Sequence, residues 1–173
     1  MTIKAINTRY KGYRFRSRLE ARWAVFFDSL GLKWEYEPEG FELGEAGWYL
    51  PDFYLPELNC WAEVKPHINS KQICINDLNK FGSFCVGLKT TLLILDGIPE
   101  PRVYYCVLVQ GNEVINNYPF SWNVKYLPPI NHDGKPRLYW HPGCDEEAEE
   151  HSPYFAIQAA RSARFEHGEV PAL

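Results

Sequence analysis

The chain has 173 residues, 46% hydrophobic and 16% aromatic, enough for one domain with a sizeable core and a small appendage. No apolar run approaches the roughly 20 residues of a membrane span. The opening Met1 to Asn7 lacks a secretory signal pattern, so no membrane association and a cytoplasmic setting are expected. A formal net charge of −4 argues against a generic polyanion binder, yet the charge is uneven. Lys4, Arg9, Lys11, Arg14, Arg16, Arg18 and Arg22 face the single acid Glu20 within residues 1–22. Acids gather instead at Glu35 to Glu45 and Asp145 to Glu150. A basic face on an acidic protein still grips phosphates, because the local field governs contact.

Residues 1–12 read as extended. Tyr10 to Arg16 alternates aromatic and basic residues, a pattern that contacts phosphates and stacks on bases. It equally suits an edge strand with a solvated basic face. Arg9, Lys11, Arg14, Arg16 and Arg18 are the candidate nucleic-acid-binding residues. Ser17 to Leu30 is predicted to be a helix, with Leu19, Trp23, Phe26, Phe27 and Leu30 on one apolar face. Ser17 suits the N-cap and Gly31 the C-terminal stop. Glu20 lies at the edge of the apolar stripe, where it can look toward a sheet. Ser17-x-x-Glu20 is also a capping-box pattern, which would give Glu20 a structural role.

Leu32 to Leu43 is expected to be the first strand, followed by turns at Gly40, Gly44 and Gly47. Tyr49 to Leu55 and Cys60 to Lys65 read as two strands joined by Pro56 to Asn59 and stopped by Pro66. Residues two apart share a strand face, so Glu63 and Lys65 point one way and Val64 the other. Antiparallel pairing would bring Asp52 close to Glu63. Two carboxylates held together repel unless a cation joins them. Mg²⁺ takes oxygen ligands and is usually held by one or two carboxylates plus substrate phosphate. A nearby lysine places positive charge where a phosphorane develops negative charge. Asp52, Glu63 and Lys65 therefore suit metal-assisted phosphodiester hydrolysis.

Beyond Pro66 a loop precedes a second helix expected from Ser70 to about Phe84, with Ile73, Leu78 and Phe81 inward. His67 in the loop and Lys71 and Gln72 in the first turn are additional candidates, though such positions are ordinarily solvated. Thr90 to Leu95 suits a buried strand and Val103 to Gln110 another, ended by Gly111-Asn112. The elements sum to an α/β sandwich around a mixed sheet. Prolines break the chain from Tyr118 onward, and Trp122, Tyr126, Tyr139 and Trp140 suggest an extension packed on the core. Ser152 to Glu166 is expected to form a terminal helix. The expected division is a core over 1–117 and an extension over 118–173. His132, His141, Cys144 and His151 are too irregularly spaced to signal a metal site. Cys60, Cys74, Cys85, Cys106 and Cys144 contain no Cys-x-x-Cys pair and read as reduced, mostly buried thiols.

Pro51-Asp52 followed at hairpin distance by Glu63-Val64-Lys65, with Phe15-Arg16-Ser17-Arg18-Leu19-Glu20-Ala21-Arg22-Trp23 upstream, resembles the PD-(D/E)xK nuclease superfamily. The resemblance covers about Tyr10 to Ile98 and looks like phage-borne and bacterial members. It implies a restriction-endonuclease-like core, a central mixed sheet flanked by helices in the order α-β-β-β-α-β. It implies Mg²⁺, with Mn²⁺ able to substitute, bound by Asp52, Glu63 and the Val64 backbone carbonyl. Lys65 would assist catalysis, and Glu20 would help place metal or water. DNA is the implied partner, cut by an endonuclease in a bacterial or phage-infected cell. The alternatives are a catalytically silent nucleic-acid-binding protein on the same fold, or the cutting subunit of a transposase- or resolvase-type complex, the latter a homodimer. The ending Ala159 to Gly168 is similar to phage-borne relatives in which a cysteine-rich insert precedes it; the paired cysteines are missing here, so no zinc ribbon is expected.

Overall fold

The computed structural model describes residues 6–66, 75–102, 104–110, 113–121, 139–140 and 153–165. The chain opens with a hairpin of β1 (Thr8–Tyr10) and β2 (Tyr13–Phe15). Its two-residue turn has Lys11 at φ +46° and Gly12 at φ +83°, the paired left-handed conformations that match strand twist. Next comes α1 (Arg18–Ser29), started by Ser17, which has an extended backbone and whose hydroxyl oxygen accepts the Glu20 N–H. Gly31 at φ +71° ends it by donating its N–H to the Asp28 carbonyl at 3.0 Å.

The long first strand expected over 32–43 is instead two short ones, β3 (Glu35–Tyr36) and β4 (Phe41–Glu42). The break falls at Glu37. Glu37 sits at φ +44° ahead of Pro38 and donates its N–H to the Asp52 carbonyl at 2.9 Å. The chain then turns away, and β4 pairs with β5 (Trp48–Tyr49) as a separate hairpin.

β6 (Phe53–Leu55), β7 (Cys60–Lys65), β8 (Leu92–Asp96), β9 (Tyr104–Gln110), β10 (Glu113–Ser121) and β11 (Tyr139–Trp140) join β3 in one sheet. Its order is β11-β10-β9-β8-β7-β6-β3. Only the β7–β8 pairing is parallel, and α2 (Ile75–Leu88) makes the crossover that a parallel pair requires. The sheet is therefore mixed, as the sequence suggested. α2 runs to Leu88, further than expected. β10 was not anticipated, and it runs through residue 117, where the sequence suggested a division.

Side-chain alternation divides the core between the two sheet faces. Phe53, Leu55, Ala62, Leu93, Leu95 and Cys106 pack with α1 and with α3 (Tyr154–Ser162). Leu92, Ile94 and Val107 pack with Phe81, Phe84 and Cys85 of α2. The C-terminal helix thus belongs to the main core. Arg22 on α1 fixes it by donating to the Ala160 and Arg161 carbonyls at 2.6 Å each. Cys60, Cys85 and Cys106 are buried and free, and burial pushes their thiols up. Cys74, Trp122, Tyr126 and the set His132, His141, Cys144 and His151 lie outside the described residues. No helix among the described residues is long and apolar enough to cross a membrane.

Trp23 joins both ends of this framework. It is fully buried on α1, and its indole N–H donates to the Gly97 carbonyl, just past β8, at 2.9 Å. Trp23→Phe is expected to retain the fold and lose about 1–3 kcal/mol, the cost of leaving a buried carbonyl unpaired together with a small void. Denaturant unfolding followed by circular dichroism measures it; a loss below about 0.5 kcal/mol would mean that the bond contributes little.

Candidate active site

The β6–β7 register sets the site. Phe53 pairs with Ala62, so Asp52, one residue earlier, reaches the end of the sheet beside Glu63 and Val64. Asp52 Oδ2 accepts the Val64 N–H at 2.7 Å. Its Oδ1 accepts from Arg16 Nη2 at 2.8 Å. The carboxylate is 4% exposed, so both oxygens are fixed in place by protein groups.

Glu63 is 9% exposed and held at both ends. The Tyr49 hydroxyl donates to Oε2 at 2.9 Å, and Lys65 Nζ lies 2.9 Å from Oε1. Tyr49 reaches it because the β4–β5 hairpin seats the Tyr49 ring against Phe81 and Phe84 of α2. Lys65 in turn stands over the Phe81 ring, with Nζ 5.4 Å from the centroid. Burial is the largest influence on Lys65 and lowers its pKa, but the charge and hydrogen bond of Glu63 together with Asp77 and Asp52 outweigh it, and the net shift is upward. Lys65 therefore carries its charge throughout the neutral range.

The opposite wall comes from the N-terminus of α1. Glu20 accepts from the Ser17 hydroxyl at 2.6 Å through Oε1. Its Oε2 accepts from the Arg16 N–H at 3.0 Å and the Tyr36 hydroxyl at 2.6 Å. A capping arrangement is thus present, and Glu20 also stands close enough to Asp52 to raise its pKa. Arg16 continues from Asp52 to Glu37, where Nε lies 2.5 Å from Oε1. That contact is an ion pair without hydrogen-bond alignment.

The electrostatics follow from crowding. Burial comes first, then the charge of Glu63, and together they hold the Asp52 carboxyl well above the ordinary carboxylate range. The Val64 N–H, the strongest of the groups acting the other way, and Arg16 pull against it without prevailing. Glu37 is also raised, by burial first and against Arg16. The site is rich in negative charge even with Arg16 and Lys65 in it. A divalent cation fits such a donor set: two neighbouring carboxylates of hard oxygen, whose repulsion it would relieve. Among the described residues no group of three or more His, Cys, Asp or Glu side chains forms a cage. The fit is therefore to an ion held by Asp52 and Glu63 that keeps waters or substrate oxygens for its other positions. Val64, tied down through its N–H, is the backbone residue between them.

The basic residues of the N-terminal segment divide. Arg9 and Arg14 face one another across the β1–β2 hairpin, both exposed, with no ion pair among the described residues. Like charges directly opposite are unfavourable, so the hairpin carries a cost that an anion would offset. Lys11 pairs with Asp28 at 2.9 Å, Arg16 enters the site, and Arg18 opens α1. His67, Lys71 and Gln72 lie outside the described residues.

Sequence reasoning overlooked Tyr36, Glu37, Tyr49 and Asp77. The signal available at this point was Pro38 itself, which has no N–H to give to a strand ladder. Tyr49 reads from the sequence as the start of a strand, and only the hairpin geometry shows that its hydroxyl is spent on Glu63. No protein-family model matches the chain, and neither the curated proteins nor the solved structures contain a match.

Glu20 accepts from three donors, one of which, the Arg16 N–H, cannot turn round. A glutamine has one acceptor oxygen where glutamate has two, and it forfeits the charge in these bonds. Glu20→Gln is expected to lose about 1–2 kcal/mol of stability. Thermal or urea unfolding tests this, and a variant as stable as the parent would show that the capping network tolerates an amide.

Proposed function

We infer that the protein is a Mg²⁺-dependent endodeoxyribonuclease that hydrolyses phosphodiester bonds, with Mn²⁺ able to substitute. The observation that carries this reading is the Asp52–Glu63 pair, buried side by side at the end of the β6–β7 hairpin with Lys65 Nζ 2.9 Å from Glu63. When bound, the metal supplies Lewis acidity toward the phosphoryl group and makes water a stronger nucleophile. Asp52 and Glu63 would hold it. Tyr49 and Lys65 keep Glu63 in one orientation. Lys65 offsets charge gathering on the phosphoryl oxygens or orients the attacking water. Glu20 supports the geometry through the start of α1 and adds negative charge that favours a cation. Arg9 and Arg14 contact backbone phosphates, which positions DNA without reading its sequence.

A second reading has its own support. The carboxylates are already paired, Asp52 with Arg16 and Glu63 with Lys65, which suits a silent nucleic-acid-binding protein on the same scaffold. A cutting subunit of a transposase- or resolvase-type complex would share the first chemistry and differ in partners. Cleavage of plasmid, linear, single-stranded and branched DNA separates these readings.

With Mg²⁺ or Mn²⁺ the parent protein is expected to cut, and with Ca²⁺ to bind but cut poorly, because Ca²⁺ accepts looser geometry. Asp52→Asn and Lys65→Ala should each lower the rate by roughly 10²–10³-fold with the fold intact. Undiminished cutting in excess chelator would exclude the metal mechanism, and no cutting by the parent on any substrate would favour the silent binder.

DNA affinity is expected to fall steeply with salt through counterion release, by about one unit of log–log slope per phosphate contact. Neutralising Arg9 and Arg14 together should reduce the slope by about two. An unchanged slope in fluorescence anisotropy would move the DNA path off the hairpin.

A further inference from the structure

Arg16 stands where two functions meet. Its backbone is fixed, since the N–H donates to Glu20 and to the Tyr36 hydroxyl at 3.0 Å each. Its side chain is 57% exposed, yet its head lies on Asp52, a carboxylate that is almost wholly buried. With Asp52 Oδ2 accepting the Val64 N–H, Oδ1 is the oxygen better placed to meet an incoming cation, and Oδ1 is the atom that Arg16 Nη2 occupies at 2.8 Å. A guanidinium and a divalent cation on one oxygen repel strongly at such range. The second hold on Arg16 is Glu37, at 2.5 Å but without hydrogen-bond alignment. Glu37 adopts φ +44°, a conformation rare for a residue with a side chain, and it is tied there by its N–H to the Asp52 carbonyl. Backbone strain of this kind persists where the surroundings enforce it, commonly at functional sites. Arg16 is thus anchored at its base, exposed along its length and held at its head by two carboxylates. A guanidinium is also the side chain best matched to phosphate oxygens.

We propose that Arg16 holds the metal's place on Asp52 in the free protein and passes to a phosphate oxygen of the nucleic acid when a divalent cation takes that place. The proposal rests on the metal-dependent reading of the site given above. It makes metal and DNA mutually favourable ligands: the cation frees the guanidinium, and the phosphate keeps it from returning. Coupling of this kind is reciprocal between the two ligands. It also gives the paired carboxylates a purpose in an active enzyme, because an occupied Asp52 is then a resting arrangement.

The test uses the full chain and two binding measurements, neither of which needs turnover. Mn²⁺ affinity is taken by calorimetry at low ionic strength for the parent, Arg16→Gln, Arg16→Lys and, as the reference for loss of the site, Asp52→Asn. Duplex affinity is taken by anisotropy with and without Ca²⁺. Arg16→Gln is expected to bind Mn²⁺ more tightly, by about tenfold, within the usual range of coupling between sites. Arg16→Lys keeps the charge and should stay within about threefold of the parent. Ca²⁺ should strengthen duplex binding by the parent and do so much less for Arg16→Gln. Arg16→Met, which keeps the aliphatic stem, is the second neutral variant if the glutamine form is unstable. Neutral variants that bind Mn²⁺ no better than the parent, or that keep the full Ca²⁺ gain, overturn the proposal. If the parent binds Mn²⁺ through Asp52 and cleaves DNA while these outcomes occur, only the role of Arg16 falls. If the parent shows no Asp52-dependent Mn²⁺ binding, the proposal and the metal-dependent reading fall together.

Discussion

The buried carboxylate of Asp52 is the constraint around which the local structure is arranged. An ionised carboxyl in a dry position is unfavourable unless hydrogen bonds or cations compensate it. Four separate pieces of chain do so or crowd it. The β7 strand supplies the Val64 N–H, and the end of β2 supplies Arg16. The loop after β3 bonds to the Asp52 carbonyl through the Glu37 N–H. Glu63 and Glu20 add negative charge that works against ionisation. The register of β6 on β7, the break after β3 and the entry into α1 are consequently one problem with one solution. Shifting any of them would leave either a buried charge or a buried N–H without its partner.

The same crowding explains how an acidic protein can present a basic path. Glu20, Glu37, Asp52 and Glu63 crowd carboxyl groups into a recess whose ion-paired cations, among the described residues, are Arg16 and Lys65. Arg9 and Arg14 stand outside it on an exposed hairpin. On the proposed reading, a phosphate backbone would be drawn to the hairpin and repelled by the recess until a cation entered it. The net charge of −4 averages over this separation and conceals it.

Much of this arrangement was legible where the chain has strong local rules. α1 could be read from its apolar stripe, its serine cap and Gly31, and the structure places it within a residue at either end of the reading. The hairpin of β6 and β7 could be read from alternation and the Pro56 to Asn59 turn, and with it the approach of Asp52 to Glu63, although the strand expected over Tyr49 to Leu55 is divided between β5, which pairs with β4, and β6. What could not be read depends on contacts distant in sequence. Glu37 takes its conformation from a bond to Asp52, and Tyr49 takes its role from a hairpin seated on α2. β10 carries Asn116, Asn117 and Pro119, residues of low strand propensity, and its pairing with β9 overrides them despite an irregularity in register between Ile115 and Tyr118. Arg16 looked like one of several basic residues, and only its partner distinguishes it from Arg14.

Glu20 shows why a structural and a functional role need not compete. Its two oxygens are occupied by the Ser17 hydroxyl, the Arg16 N–H and the Tyr36 hydroxyl, so it is bound into the start of α1. A carboxylate so employed is a poor direct ligand, because each new bond would displace an old one. Its charge is not consumed by those bonds, and it still acts on Asp52 and Glu37. It also fixes the backbone of Arg16, whose head lies on Asp52. Position and charge therefore reach the site through the cap itself. The capping box read from Ser17 and Glu20 is then part of the site's construction: it sets where Arg16 leaves the backbone, and it keeps a negative charge beside the carboxylate pair that a cation would join.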